Sequence, residues 1–458
     1  MSSRIMHPPD RIALKKRVLS AGIWSLGGYG FNQLLRLGSN LLLTRLLDPK
    51  MFGVMAIATM VMVGLAMFSD LGLKPSVVQS RRGNDAAFLN TAWVTQILRG
   101  LLLWLLALIA SLLIYCANHV GMVPTGTVYA EPILPFVVAI LSITAVTAGF
   151  ESTKLLEASR NLSLKLVVQI ELSSQIIGML CMLGWALVDH SIWALVGGAI
   201  CSAVLRAILS HAWLPGTPNR WQWDNGAFYE IFHFGKWMFL SSVLGFLVNS
   251  GDRLLLGGLL SSATFGVYSI ASLILNSIEQ IPAKIAVDVS FPALSEVVRD
   301  RPTDFKSSYY RFHAVVASFA YICSGVLMTS GDSLIRFLYD PRYAEAGWML
   351  EILAVALLTV PLRVATQSYL ALGRPQLLSN VIAIRLAVLF VATPIGFYYF
   401  GIPGAMWGIV SSQFAYLPAI IWYNVKHTIF DLRTELYLLP IVAGGMAIGR
   451  VVSTIIGV

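Results

Sequence analysis

Charged residues are scarce in this chain. Asp, Glu, Lys and Arg together make up 12% of its 458 residues, whereas hydrophobic residues make up 57%. A soluble protein has roughly a quarter of its residues charged, so this chain has too few charges to cover a surface that faces water. Its apolar stretches are long enough, at roughly 20 residues each, to cross a lipid bilayer. The composition therefore excludes an ordinary soluble protein and predicts a polytopic membrane protein.

Several kinds of chemistry are also missing. The four cysteines, at 116, 181, 201 and 323, form no CxxC pair and imply neither a disulfide framework nor a metal site. There is no HExxH, P-loop or Rossmann glycine pattern, and no nucleophile elbow in a context that would give it meaning. We therefore expect no enzyme, no catalytic residue, no metal and no cofactor. Energy would come from ion gradients, protons or sodium, from the membrane potential, or from the substrate's own gradient.

The net charge of +9 has a source other than a nucleic-acid partner. Lys and Arg cluster before the first apolar stretch and after the second, fourth, eighth and twelfth, while the alternate loops are nearly free of charge; Lys50 and Arg342 are the main exceptions. Basic loops stay on the cytoplasmic side of a membrane. This alternation predicts a cytoplasmic N-terminus and no role in binding nucleic acid.

Thirteen apolar windows follow one another along the chain. They are helices rather than barrel strands, because a barrel strand needs only about 9–11 residues to cross the bilayer. The windows lie near residues 18–47, 52–73, 88–117, 131–152, 163–188, 191–214, 230–260, 265–291, 308–336, 345–372, 377–400, 402–427 and 436–458. An odd number of spans would place the C-terminus outside. We therefore expect either that the last window does not span the membrane or that a further helix is missing.

An internal repeat relates the two halves of the chain. Phe52–Ala58 (FGVMAIA) matches Phe265–Ala271 (FGVYSIA) at an offset of 265 − 52 = 213, and Gly22–Trp24 matches Gly235–Trp237 at the same offset. The offset covers six windows, an even number, so the halves have the same orientation in the membrane. We expect an all-α membrane protein with about 12–14 transmembrane helices in two pseudo-symmetric six-helix lobes around a central cleft.

The repeat also predicts how the chain is divided. The expected segments are a cytoplasmic N-terminal tail (1–17), an N-terminal lobe (18–214), a cytoplasmic linker (215–229), a C-terminal lobe (230–427) and an additional C-terminal helix (428–458).

Several short stretches resemble a known family. They are DLGL at 70–73, GDRLLLG at 251–257, FPALS at 291–295, FLYDPRY at 337–343, EILA at 351–354 and LALGRP at 370–375, within a similarity over roughly 11–430. In these stretches the chain resembles the polysaccharide transporters of the multidrug/oligosaccharidyl-lipid/polysaccharide (MOP) flippase superfamily. Asp340 departs from the family, which commonly has glycine there.

The resemblance implies a function. Its members are flippases that move undecaprenyl-pyrophosphate-linked oligosaccharide repeat units of O-antigen, exopolysaccharide or capsule across the bacterial inner membrane. Membrane lipids and the lipid-linked oligosaccharide are the expected partners, and the polysaccharide polymerase and chain-length machinery are candidates.

Charges within the apolar windows mark the candidate site. A charge near the bilayer centre is costly and usually faces a cavity or a partner. The candidates for substrate binding in the cleft are Arg36, Asp252, Arg253, Arg363 and Arg385. Arginine suits a pyrophosphate headgroup because its guanidinium binds phosphate oxygens in pairs and keeps its charge. Glu171 and Glu279 are candidates for ion coupling, with structural pairing to a buried arginine as the alternative.

Other functions remain open at this point. A multidrug or toxin cation antiporter of the same fold would favour acidic residues in its cleft, whereas arginines outnumber acids here. A membrane-embedded polymerase or glycosyltransferase would need a sizeable extramembrane loop, and the sequence has none. A non-transporting scaffold would leave the buried arginines unexplained.

Overall fold

A computed structural model describes residues 8–69, 72–80, 82–161 and 163–456. Within these ranges the chain forms nineteen α-helices and no strand, so the predicted all-α membrane fold is confirmed. Residues 1–7 of the predicted tail lie outside the described ranges, as do Asp70 and Leu71 of the DLGL stretch.

The first half of the described chain contains helices α1 to α10. They are α1 (Pro8–Leu46), α2 (Pro49–Phe68), α3 (Leu73–Gln79), α4 (Ala86–His119), α5 (Leu134–Leu141), α6 (Ile143–Gly149), α7 (Lys154–Arg160), α8 (Leu164–Val188), α9 (Ile192–Ala212) and α10 (Asn225–Gly257). Asp85 begins α4 as its N-cap, because its carboxylate accepts a hydrogen bond from the amide of Ala87 at 3.2 Å.

The second half contains nine further helices. They are α11 (Ser262–Lys284), α12 (Phe291–Asp300), α13 (Phe305–Leu338), α14 (Ala346–Ala354), α15 (Leu362–Ala371), α16 (Pro375–Phe414), α17 (Leu417–Lys426), α18 (Leu432–Leu438) and α19 (Pro440–Ile456). A π-helical stretch, Ile285–Ser290, joins α11 to α12, and short 3-10 turns lie at Val128–Ala130, Pro302–Asp304, Pro341–Tyr343 and Val355–Thr359.

The chain divides into two compact units. Unit 1 comprises Met1–Leu47, Val54–Thr125 and Tyr129–Phe246. Unit 2 comprises Asp48–Gly53, Gly126–Val128 and Leu247–Val458. The two units therefore meet in sequence within α10, and unit 2 includes two short pieces from the first half of the chain. The predicted lobe limits, 18–214 and 230–427, stay a prediction.

Each of the thirteen predicted windows lies on a helix of the described residues. Among the residues that the structure describes, eight stretches are long and apolar enough to cross a membrane, or nine if the bent pair Leu134–Gly149 and Lys154–Arg160 forms one span. The long helices α1, α10 and α11 carry three further windows.

The windows 377–400 and 402–427 run together in one 51-residue stretch, Gln376–Lys426. Gly401 breaks the helical path there, with φ 64° and ψ −146°. A positive φ of this kind is open to glycine at little cost, so Gly401 separates two helices that follow each other without a loop.

The last window is also a helix, α19, and it packs against α13. The two backbones approach closely at glycines: a Cβ on Gly325 would lie 2.4 Å from the carbonyl oxygen of Val442, and a Cβ on Gly445 would lie 2.6 Å from that of Ile322. Small residues permit such close packing between helices in a membrane. The predicted additional C-terminal helix is thus part of unit 2.

Candidate functional site

The candidate site is a small cavity in unit 2, here called the polar cavity. It has a volume of about 100 Å³ and lies among α10, α11, α14, α15 and α16. Its charged lining residues are Asp252, Glu279, Arg363 and Arg385, and its polar ones include Asn249, Ser272, Asn276, Gln280, Ser412 and Gln413. The four charged residues are all among those that the sequence singled out, and they come from four different helices.

Glu279 on α11 and Arg363 on α15 form an ion pair across the polar cavity. Both side chains are partly exposed to the cavity, 20% for Glu279 and 38% for Arg363. A charge that is paired costs far less to hold in a membrane than an isolated one. The structural pairing that the sequence left open for Glu279 is therefore present.

Asp252 on α10 accepts a hydrogen bond from the hydroxyl of Tyr268 on α11. Tyr268 is fully buried, with 1% of its surface exposed. The tyrosine fixes the orientation of the carboxylate toward the cavity. Sequence reasoning missed Tyr268, which is part of the FGVYSIA stretch of the repeat. The equivalent residue of the first half is Met55, and this difference between the two repeats could have pointed to Tyr268.

Arg385 on α16 has the weakest set of partners among the four. Its Nη2 donates to the carbonyl oxygen of Val248 at 3.4 Å, and its Nε is buried without a hydrogen-bond acceptor in the part of the chain that the structure describes. No carboxylate forms an ion pair with it there. A buried guanidinium with spare donors attracts an anionic group such as a phosphate oxygen.

Three predicted site residues lie elsewhere. Arg253 follows Asp252 on α10 but does not line the polar cavity, because neighbouring residues of a helix point about 100° apart. Arg36 is an exposed residue of α1 in unit 1. Glu171 lies on α8, also in unit 1.

Glu171 belongs to a second ionic cluster, in unit 1. Arg206 on α9 lies between two carboxylates, with its Nε 3.3 Å from Glu151 Oε1 and its Nη2 3.6 Å from Glu171 Oε1. Glu171 is thus also paired with an arginine. Glu151 was not predicted: it stands at the very end of the 131–152 window, where an acidic residue is ordinarily interpreted as part of a loop.

Unit 1 contains a much larger cavity, here called the apolar cavity. It has a volume of about 770 Å³ and is lined mainly by aliphatic and methionine side chains of α2, α4, α5 and α6. Its polar lining residues include Lys74, Gln96, Arg99 and Glu151. Arg99 donates to the carbonyl oxygen of Ala66 at 2.8 Å and to the hydroxyl of Ser69 at 3.1 Å, so it lines the cavity while binding the end of α2.

Within the described ranges, no group of three or more His, Cys, Asp or Glu side chains lies close enough together to hold a metal ion.

Comparison with solved structures shows the fold. The lipid II flippase MurJ, in an inward closed conformation, has a TM-score of 0.71 at 14% identity, covering 96% of this chain and 96% of MurJ. An inward-facing multidrug resistance MATE family transporter of the MOP superfamily has a TM-score of 0.62 at 13% identity, covering 93% of this chain and 95% of that one. The chain is a multi-pass membrane protein with the fold of MOP-superfamily transporters.

Comparison of sequences gives the family. Residues 42–347 match the model of the polysaccharide biosynthesis protein family, and the chain belongs to that family. The lipopolysaccharide biosynthesis protein WzxC of Escherichia coli (strain K12) is 20% identical over 359 residues, which is 75% of this chain and 68% of WzxC. The resemblance inferred from the sequence motifs is confirmed.

Proposed function

We propose that this protein is a flippase for undecaprenyl-pyrophosphate-linked oligosaccharide repeat units, acting in the biosynthesis of exopolysaccharide, O-antigen or capsule. It works in the bacterial inner membrane with its N-terminus in the cytoplasm, by alternating access of its two lobes. Its membership of the polysaccharide biosynthesis protein family and its transporter fold support this proposal. The polymerase and chain-length machinery would receive the translocated unit.

Arg385 in the polar cavity is the observation that carries the proposal. Its guanidinium has donors to spare in a cavity where both carboxylates are already engaged, Glu279 by Arg363 and Asp252 by Tyr268. A phosphate oxygen is the ligand that guanidinium binds best. The cavity of about 100 Å³ holds a phosphate group and not a sugar chain, since pockets for larger ligands measure roughly 300–1,000 Å³.

The same engagement argues against a cation antiporter. An organic cation needs a carboxylate that is ready to pair with it, and the two carboxylates of the polar cavity already have donors. The family match is also to polysaccharide biosynthesis.

The proposal includes coupling to a proton or sodium gradient, with no bound cofactor. A coupling ion bound at Glu279 would compete with its ion pair and free Arg363 to bind the phosphate together with Arg385. Glu171, paired with Arg206, is the corresponding candidate in unit 1. Glu279→Gln should therefore remove the dependence of transport on the pH gradient, measured in vesicles with and without a proton ionophore.

Complementation tests the proposed function. A bacterium that lacks its own repeat-unit flippase receives the wild type, Arg385→Ala, Arg385→Lys or Arg450→Ala at equal membrane levels. Arg450 is the matched control, because it is an exposed arginine of the spanning helix α19 and lines neither cavity. We expect surface polysaccharide to be restored by the wild type and Arg450→Ala, to fall at least about tenfold in Arg385→Ala, and to be intermediate in Arg385→Lys.

Reconstitution completes the test. The purified wild type in vesicles should move a lipid-linked oligosaccharide from one leaflet to the other, at a rate that Arg385→Ala lowers. A purified wild type that moves no lipid-linked sugar from any matched bacterial source would contradict the proposal. Equal rates in the wild type and Arg385→Ala would support a flippase but exclude Arg385 from its substrate site.

A further inference from the structure

Two of the four cysteines meet in the structure. Cys181 lies on α8 and Cys201 on α9, 201 − 181 = 20 residues later in the chain. The thiol of Cys201 forms a hydrogen bond with the thiol of Cys181. Both cysteines are free, and both side chains are partly exposed. The sequence contains no CxxC pair, so this contact arises from the way in which α8 and α9 pack.

Glycines bring the two helices close enough for the thiols to meet. A Cβ built on Gly178 of α8 would lie 2.9 Å from the carbonyl oxygen of Gly198 on α9, and a Cβ built on Gly198 would lie 2.9 Å from that of Gly178. Each cysteine lies three residues after one of these glycines. Helix axes are ordinarily about 8–10 Å apart, whereas a disulfide needs Cα atoms within about 7 Å of each other. The glycines therefore provide the close approach that a bond between Cys181 and Cys201 requires.

The register of α8 and α9 is also fixed. A Cβ on Gly178 would lie 2.6 Å from the Cβ of Ser202, so these helices cannot slide past each other without a clash. Arg206 on α9 reaches Glu171 on α8, with Nη2 3.6 Å from Oε1. The short connection 189–191 joins the two helices directly. The thiols therefore stay side by side as long as the two helices are packed.

The cysteine pair is open to a molecule that is dissolved in the membrane. Exposed apolar side chains lie one helical turn from each cysteine, namely Ile177 and Trp185 on α8 and Val204 on α9, and residues three or four apart share a helix face. Cys181 lies 188 − 181 = 7 residues, about 10 Å, before the last residue of α8. The charge pattern predicts that this helix end is outer. In a bilayer core about 30 Å thick, the thiols therefore lie in the outer half.

We propose that Cys181 and Cys201 are a redox-active pair, which a membrane quinone oxidises to a disulfide bond between α8 and α9, here called the staple. Both S–H bonds break and one S–S bond forms, while two electrons and two protons pass to the quinone and convert it to a quinol. Quinones of the bacterial inner membrane serve as the oxidant for disulfide formation on its outer side. The inference rests on the proposed function only for the location in that membrane.

The staple would stabilise unit 1 without joining it to unit 2, because both helices belong to unit 1. A disulfide restricts the unfolded chain between the two cysteines. It would also hold the register in which Arg206 reaches Glu171. We expect the oxidised protein to melt at least about 2 °C above the reduced one, whereas Cys181→Ser should melt at one temperature whether or not it has met the oxidant.

A thiol count on the purified full chain tests the staple. The reduced protein in lipid nanodiscs is mixed with a short-chain benzoquinone, then denatured and labelled with a maleimide polymer that shifts its mobility once per free thiol. We expect the wild type to lose two of its four thiols and to release one quinol per protein. Cys181→Ser and Cys201→Ser should each lose none.

Cys323→Ser is the matched control. Cys323 is a partly exposed cysteine of the spanning helix α13 in unit 2, so this variant should lose two thiols as the wild type does. A wild type that keeps all four thiols would overturn the staple. So would a loss that a thiol reductant does not reverse, because quinone adducts resist reduction, or a disulfide-linked dimer on a non-reducing gel.

Cells provide the second test. Thiols are blocked with a small maleimide as the cells are opened, the protein is reduced, and the newly freed thiols are labelled. We expect the staple in at least about half of the wild-type protein, and at least about fivefold less of it in a strain that makes no quinone. Four free thiols in the wild type would overturn the proposal. These counts need no substrate, so a stapled protein that moves no lipid-linked oligosaccharide would count against the proposed function alone.

Discussion

The apolar cavity of unit 1 and the polar cavity of unit 2 lie in halves of the chain that repeat each other at an offset of 213 residues, yet they differ in size and in chemistry. The first has a volume of about 770 Å³, mostly aliphatic walls and its charges confined to Lys74, Arg99 and Glu151. The second has about 100 Å³ and four charged side chains. The repeat therefore preserves helices and the contact between Gly53 and Gly266, while the chemistry of each cavity is set by a few polar residues.

The difference extends to how each unit pairs its charges. In unit 2, Arg363 meets one carboxylate, that of Glu279, inside the polar cavity. In unit 1, Arg206 is 41% exposed and is shared between Glu151 and Glu171. The two arginines are almost equally exposed, 38% for Arg363 and 41% for Arg206. We expect the unit 2 pair to matter more for transport, because it lines the same cavity as Arg385.

The largest effect should come from separating the unit 2 pair. Arg363→Ala leaves the Glu279 carboxylate without its partner, and we expect transport to fall at least about tenfold. The free energy of unfolding should fall by up to about 1 kcal/mol, because Arg363 is 38% exposed and solvent screens the pair. The double variant Arg363→Ala with Glu279→Gln should regain most of that stability but little transport. Thermal unfolding in detergent and a vesicle transport assay measure the two; a double variant as unstable as the single would show that the pair is not the cause.

A second substitution contrasts the space in the two cavities. Ser272→Leu adds a large side chain to the polar cavity, where Ser272 is 3% exposed, and we expect it to lower the free energy of unfolding by about 1–3 kcal/mol through overpacking. Ala145→Leu adds similar bulk beside the far larger apolar cavity and should change it by less than about 0.5 kcal/mol. An equal loss of unfolding free energy in the two variants would mean that the two cavities accommodate an added side chain equally well.

Sequence reasoning reached the helices more fully than the site. Each predicted window lies on a helix, because an apolar run of about 20 residues has few alternatives in lipid. Four of the seven predicted charges, at 252, 279, 363 and 385, line one cavity. Each of them could be identified from the sequence, because a charge in the membrane is costly. Their proximity depends on how α10, α11, α15 and α16 pack, and no local sequence pattern predicts that packing.

Two further residues show the same limit. Arg253 was predicted as a cleft residue because its charge lies within an apolar window, and it does not line the polar cavity, since it points about 100° away from Asp252 around α10. Glu151 was overlooked because it ends an apolar window, although it pairs with Arg206. The first case depends on the direction of a side chain around its helix, and the second on a contact between distant segments. Neither can be known without the three-dimensional structure.

A third, smaller effect tests the shared arginine of unit 1. Arg206→Gln should lower the free energy of unfolding by up to about 1 kcal/mol, since its side chain is 41% exposed and solvent screens the pairs. Combining it with Glu151→Gln should recover part of that loss, because Glu151, at 16% exposed, is the less solvated of its two carboxylates. Thermal unfolding of the three proteins side by side measures this. A loss well above about 1 kcal/mol would show that solvent does not screen these pairs.

The smallest effect lies in the segment before α10, which the sequence predicts to be a cytoplasmic linker and where water weakens an ion pair further. Arg82 Nη2 is 2.6 Å from Asp224 Oδ2, and this hydrogen bond, followed by those from the amides of Ala227 and Gly226, lowers the pKa of Asp224 below its usual value near 3.9. A lowered carboxyl pKa stabilises the folded state fully above about pH 4 and loses that contribution as the pH falls through the lower, folded value. Asp224→Asn keeps an N-cap for α10 but removes the charge, so its melting temperature should lie slightly below that of the wild type at pH 7, and the gap should close as the pH is lowered below about 4. A gap that is the same at pH 7 and pH 3 would assign the effect of Asp224 to helix capping and not to its charge.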